Sequence, residues 1–271
     1  MKDSVWLVTG AGSGVGRTLA VALASSGAEV ILAARTRQAL EDTAAWCGER
    51  ALVAEVDLAD PSSVDSLAAV VRQRLAGRPL AGILHAAGVM LWDSAATPSG
   101  WSRVPLVNAV SPWRLTLALE PSLLAAPGAR VLFVAGAAFT LNGVRPHLEY
   151  WKGAQNGKGM TLALEAAAAK VLMVRSLHRR WLGRASAFAF HPGFVKSSLA
   201  DGLPLPLSFL GCVAQPFLSA RCANGEFLAL DAGAGVLSGQ MVQNRRAVPN
   251  CPFPPDQAAE TAWLNELETL L

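Results

Sequence analysis

Apolar positions along the chain alternate between two periods. "VWLVT" is a short continuous apolar run, and "RTLAVALASSGA" after it repeats its apolar residues at helical spacing before a closing glycine. "EVILAAR" reads as a second strand, "TRQALEDTAAWCG" as a second helix and "RALVAEVDL" as a third strand. The rhythm continues through a helix in "SSVDSLAAVVRQRLAG", a strand in "LAGILHAAG", a broken helical region from about Val104 to Ala125, and the apolar strand "ARVLFVAGA". A long helix containing Ala163 follows, then strands in "ASAFAFHPG" and "GEFLALDAG", and the amphipathic "DQAAETAWLNELETLL" closes the chain. Strand and helix in strict alternation predict crossover units, hence an α/β fold: a mostly parallel sheet of about seven strands covered on both faces. No linker or compositional break divides residues 1–271, so a single domain is expected. The proline-rich "DGLPLPLSFLGCVAQPFLSARC" suits a substrate-side lid or a packed excursion better than a linker.

Composition narrows the function classes. Of the 271 residues 52% are hydrophobic and 16% charged, so the chain has apolar surface to spare for a pocket or a subunit contact. The formal net charge is only +3, and the densest basic stretch, "RSLHRRWLGR", reads as the solvated end of a helix, so no nucleic-acid partner is expected. No stretch approaches the roughly 20 apolar residues that cross a bilayer, and the start shows no secretory pattern. Cys47, Cys212, Cys222 and Cys251 lack metal-ligand spacing and read as reduced thiols of a cytoplasmic protein, with no metal site.

"TGAGSGVG", Thr9 to Gly16, falls between the first strand and the first helix. Gly10 allows the tight turn, Gly14 a close backbone approach and Gly16 close helix packing, while Ser13, Val15 and the helix-start N–H groups can receive a pyrophosphate. The second strand ends in Ala34 and Arg35 rather than a carboxylate, with Arg37 and Arg17 nearby. Guanidinium groups pair with a 2′-phosphate, which favours NADP(H) over NAD(H). Asp57 and Leu58 end the third strand where an adenine edge and face would lie.

The chain resembles the classical short-chain dehydrogenase/reductase family, in particular its retinol-dehydrogenase-like branch. The matching pieces are "TGAGSGVG", "AAR", "DL" at 57–58, "HAAGVM" at 85–90, "VNAVSPWRLT" at 107–116, "RVLFVAG" at 130–136 and "HPGFVKSSL" at 191–199, in the family's order over nearly the whole chain. The resemblance implies a single Rossmann-type doubly wound domain, a nicotinamide cofactor at the carboxyl ends of the strands, a small apolar carbonyl or alcohol as substrate, and a homo-oligomer. It places Asn108 at the family's structural and catalytic asparagine, Ala87 and Gly88 at the close-approach segment, Pro192 and Gly193 beside the nicotinamide, and Ser197 where a threonine contacts the cofactor. His85 replaces an amide and is expected to be satisfied by neighbouring backbone.

The resemblance also exposes a departure. The family's tyrosine donates a proton to the developing alkoxide, a lysine four residues on lowers its pKa, and a serine orients the substrate oxygen. Here those positions are Ala163, Ala167 and Gly136. Tyr150, the only tyrosine, has no lysine at same-face spacing; a displaced role for it is the alternative to a surface position. Lys170 is expected to run its stem over the helix surface, and Glu165 to stand isolated. The leading expectation is therefore an NADP(H)-binding member of the family with weak or absent hydride-transfer activity of the usual kind. Its alternatives are an active oxidoreductase with a displaced proton donor, and a non-catalytic structural or regulatory subunit.

Overall fold

A computed structural model describes residues 2–193, 195 and 221–271. The first half is three βα units: β1 (Val5–Thr9), α1 (Gly14–Ser25), β2 (Glu29–Ala34), α2 (Arg37–Cys47), β3 (Ala51–Glu55) and α3 (Pro61–Leu75). β4 (Leu80–His85) leads through a long connection to a short helix, α4 (Arg103–Pro105), a π turn (Leu106–Val110) and α5 (Ser111–Leu124). β5 (Ala129–Val134), the single-turn α6 (Ala138–Leu141), the 23-residue α7 (Gly159–Trp181) and β6 (Ala185–Phe190) follow. After the undescribed segment come α8 (Ala223–Leu230), β7 (Gln240–Gln243), the two-residue β8 (Arg246–Ala247) and α9 (Gln257–Thr269).

The eight strands form one sheet in the order β3-β2-β1-β4-β5-β6-β7-β8, parallel throughout except for β8, which returns antiparallel on β7. The chain winds outward from β1 to β3, then restarts at β4 on the other side of β1. The carboxyl ends of β1 and β4 therefore diverge into helices on opposite faces, and this switch opens the crevice in which doubly wound sheets bind ligands. Alternation along the strands sends Val5 and Leu7 to the face covered by α3, α5 and α7, and Trp6 and Val8 to the face covered by α1, α2 and α8. Both faces are dry, so the strands need no polar side.

Two sequence expectations change. "GEFLALDAG" is a helix, α8, with Leu228 and Ala229 buried against α1's side of the sheet. The seventh strand is instead "QMVQ", whose only buried residues, Met241 and Val242, are too few to display a strand period. With the two-residue β8, the sheet has eight strands.

α7 is buried almost around its circumference from Glu165 to Arg175. Arg175, 8% exposed, donates to Glu260 on α9 at 2.7 Å and to the carbonyls of Cys251 and Phe253 at 2.8 and 3.0 Å. Arg179 completes the Glu260 carboxylate at 2.8 Å. Cys47, Cys222 and Cys251 are buried free thiols. No helix among the described residues is long and apolar enough to cross a membrane.

Candidate active site

A cavity of about 910 Å³ runs along the carboxyl ends of the strands, from β2 and β3 across β1 and β4 to β5 and β6. At its first end the wall is backbone. Gly10 takes φ +68°, and a Cβ there would lie 2.5 Å from the Ala87 nitrogen. A Cβ on Gly16 would lie 2.2 Å from the Gly10 carbonyl, so α1 starts where only glycine fits. Ser13 is the N-cap of α1, yet its hydroxyl makes no capping bond. The first-turn N–H groups and this hydroxyl face the cavity as a ready anion cradle. These features fit a dinucleotide pyrophosphate.

Of the expected binding residues, Gly10, Ser13, Gly14, Val15, Arg35, Asp57, Leu58, Ala87, Gly88, Asn108, Pro192 and Gly193 line this one cavity. Gly16 stands behind it as packing, and Ser197 lies outside the described residues, as does 201–220 of the expected lid segment. Asp57 accepts from the Ala59 nitrogen at 2.9 Å, which fixes the turn after β3. Cys222 and Asn224, at the start of α8, hold the carbonyls of Pro192 and His191 at 3.4 and 2.8 Å, so the turn after β6 is braced from the opposite face.

The three arginines near the adenosine end are not equivalent. Arg17 donates to Thr43 at 3.0 Å and to the Gly12 carbonyl, and does not line the cavity. Arg37 is paired with Glu41 at 2.8 Å and Glu55 at 3.3 Å, which neutralises the one carboxylate standing beside Ala34 in the β2–β3 register. Arg35 is exposed, lines the cavity and has no polar side-chain partner among the described residues.

At the second end the wall is side chain. Asn108 sits in the π turn, its amide bonded both ways to Val89: Oδ1 accepts from the Val89 nitrogen at 2.8 Å and Nδ2 donates to the Val89 carbonyl at 2.9 Å. Gly136, Ala163 and Ala167 line the cavity beside one another's elements, with Met90, Leu91, Met160 and Leu164 adding apolar surface. Tyr150 does not line it. Its ring is 45% exposed in a 3-10 turn, between His147 at 5.4 Å and the Lys158 ammonium at 5.2 Å.

Three side chains depart from expectation. Lys170 does not lie on the helix surface: it is 6% exposed, lines the cavity and donates to the Val134 carbonyl at 2.8 Å. Helical side chains lean toward the helix N-terminus, so the long stem runs back along α7 past the small Ala166 and Ala167, which leave it room. Burial pushes its pKa down to about 8. Glu165 is not isolated: it accepts from the Trp151 indole at 2.9 Å and from the His147 nitrogen at 3.2 Å, and so ties α7 to the preceding loop. His85 is satisfied by a hydroxyl, not by backbone. Thr116 gives its single hydrogen to the Pro112 carbonyl at 2.8 Å, so it must accept from His85 Nε2 at 2.9 Å. His85 Nδ1 is then a bare acceptor, buried without a partner. Burial, with the Lys170 charge nearby, holds the ring's pKa down at about 3, so it is neutral and no acid.

Comparison with known proteins identifies the frame. Residues 4–176 match the family model described as short chain dehydrogenase. The chain belongs to the short-chain dehydrogenase family. It is 30% identical over 252 residues to retinol dehydrogenase 12 of Bos taurus, covering 87% of this chain and 76% of that protein. It is 33% identical over 285 residues to dehydrogenase/reductase SDR family member 13 of Homo sapiens, covering 97% of this chain and 72% of that one. Among solved structures, 3-ketoacyl-(acyl-carrier-protein) reductase from Brucella melitensis, complexed with NADH, superposes with a TM-score of 0.66 at 19% identity, covering 89% of this chain and 96% of that one, a likeness of fold. The family match spans the glycine-rich turn and accounts for a Rossmann-type oxidoreductase frame. Arg103 carries no motif and does not stand out in the sequence, whereas Lys170 stands out but reads there as a helix-surface residue.

Proposed function

We propose that this short-chain dehydrogenase binds NADP(H) along the cavity, its adenosine and pyrophosphate in the β1–β3 half and its nicotinamide reaching toward the turn after β6, and has lost most of the family's usual carbonyl-reducing power. When bound, the cofactor supplies a hydride to a carbonyl carbon. Gly10, Ser13, Gly14 and Val15 hold its pyrophosphate, Asp57 and Leu58 meet the adenine, and Arg35 pairs with the 2′-phosphate. Pro192 and Gly193 flank the nicotinamide, with Ser197 assigned there by the resemblance. The guanidinium of Arg35, without a polar partner among the described residues, supports the phosphate preference, because Arg37 already neutralises Glu55.

One observation carries the loss of chemistry: Gly136, Ala163 and Ala167 stand together on the cavity wall where the resemblance expects serine, tyrosine and lysine. Losing a positioned proton donor costs about 10²–10⁴ in rate, and the three groups act as a unit, so their separate losses do not sum. The half-exposed position of Tyr150 outside the cavity speaks against the displaced-tyrosine alternative. We place the chain in the retinol-dehydrogenase-like branch on its motifs, and in the cytoplasm on its buried free thiols. A homodimer is part of the reading through the family resemblance alone, because the apolar residues of α7 are consumed in the subunit's own core; light scattering tests it.

The functional test pairs NADPH and NADH titrations with single-turnover NADPH oxidation against 4-nitrobenzaldehyde and decanal. Tight NADPH binding with slow turnover in the parent is expected, and faster turnover in a Gly136→Ser, Ala163→Tyr, Ala167→Lys variant. A Cβ at residue 136 lies 3.2 Å from the Thr140 hydroxyl, which must give slightly. Fast parent turnover abolished by Tyr150→Phe overturns the reading.

A further inference from the structure

The cavity's ionisable lining is asymmetric. Its only carboxylate among the described residues is Asp57, at the β3 end. At the β5–α7 end the charges are Lys170 and Arg103, a residue of α4, which packs on α7. Neither has a carboxylate partner among the described residues. Among the described residues Lys170 holds a single backbone carbonyl, and the Arg103 side chain has no polar partner. An ammonium offers three donors and a guanidinium five, so several N–H groups are unspent in a wall otherwise built of Val107, Met160, Ala163 and Leu164. A buried cation without a counter-charge is held at a cost that a bound anion removes.

We propose that the β5–α7 end of the cavity binds an apolar molecule carrying a carboxylate, with Lys170 and Arg103 supplying its counter-charge. The apolar wall takes the hydrocarbon part, and charge-assisted hydrogen bonds take the head group. The proposal rests on the functional reading only in assigning the β1–β3 end to the cofactor's adenosine and pyrophosphate and the turn after β6 to its nicotinamide. An anion drawn to the pyrophosphate cradle would instead lie beside Ser13 and α1.

The ionisable groups around Lys170 are few. His85 on β4 is neutral at any working pH, Glu165 on α7 is engaged by Trp151 and His147, and Glu260 on α9 by Arg175 and Arg179. Arg130 on β5 donates to the Leu228 carbonyl, and His191 and Arg103 are the other groups at this end of the cavity. Lys170, with its pKa lowered to about 8, is thus the group that titrates between pH 7 and 9. A carboxylate beside it favours the ammonium and raises that pKa, so binding takes up a proton above pH 8, and affinity falls as pH rises further.

The test is calorimetric titration of the full chain, saturated with NADPH and separately without it, by decanoate and by decanol. Decanoate is expected to bind at least about tenfold more tightly than decanol at pH 7, and Lys170→Met or Arg103→Met to reduce that preference by about tenfold. Titration at pH 8.5 in two buffers of different ionisation enthalpy is expected to show proton uptake in the parent and none in Lys170→Met. Equal affinity for the two ligands, the absence of proton uptake in the parent, or displacement of decanoate by NADPH overturns the proposal. The parent's proton uptake decides the matter even where a variant fails to fold. Failure of NADPH to bind while the decanoate preference persists overturns the cofactor reading and supports this one.

Discussion

At the β1–β3 end of the cavity the recognition surface is main chain, held by glycines whose neighbours leave no room for a Cβ; at the β5–α7 end it is side chain, and on the proposed reading Gly136, Ala163 and Ala167 stand there in place of three polar groups. A backbone cradle is specified by what cannot be substituted without disturbing the fold. A side-chain wall can be stripped and rebuilt while the helix beneath it keeps packing, since alanine is the best helix former. On that reading, binding and chemistry rest on separable parts of this molecule.

The comparison breaks most visibly at Gly10. Gly10→Ala combines the left-handed φ of +68° with a Cβ 2.5 Å from the Ala87 nitrogen. Overpacking and backbone strain together are expected to cost roughly 3 to 5 kcal/mol and to abolish NADPH binding; denaturant melts and fluorescence titration measure both. Ala163→Ser, on the opposite wall, should leave binding intact.

The next effect belongs to Lys170. Its pKa falls from the ordinary 10.5 to about 8 in the folded chain. Between those values the unfolded chain binds a proton that the folded chain does not, so stability rises with pH across that window, by roughly 3 kcal/mol in total for this group. Urea unfolding from pH 7 to 10 should show this rise in the parent relative to Lys170→Met, which lacks the titrating amine. Parallel profiles in the two proteins would mean that the amine is solvated.

Smaller again is the effect of Arg35→Ala. It should weaken NADPH by about tenfold and leave NADH unchanged, as expected for one charge-assisted contact; equal loss for both cofactors would place Arg35 away from the 2′-phosphate. Smallest is Tyr150→Phe. The ring lies outside the cavity and is half exposed, so stability within about 0.5 kcal/mol of the parent and unchanged cofactor affinity are expected.

What the sequence made legible follows the same division. The glycine-rich turn, Asp57, Asn108 and the "HPG" turn could be read because backbone demands fix residue type and spacing. "GEFLALDAG" misled because its short apolar run, Phe227 to Leu230, fits a buried helix or a strand equally, and "QMVQ" was hidden because only two of its residues are buried. Lys170 and Glu165 were misjudged for one reason. Spacing along α7 shows which residues share a face, but not that the helix is covered on nearly every side, where a cation and a carboxylate must both find partners inside.

The family match ends at residue 176, one position beyond Arg175, yet among the described residues that guanidinium is satisfied only by Cys251, Phe253 and Glu260, the last of them 85 positions later. During synthesis at about 5–20 residues per second, several seconds pass before these partners exist, and until then the guanidinium must stay hydrated. The stretch of α7 around Arg175 can therefore complete its burial only once residues 251–260 have been made.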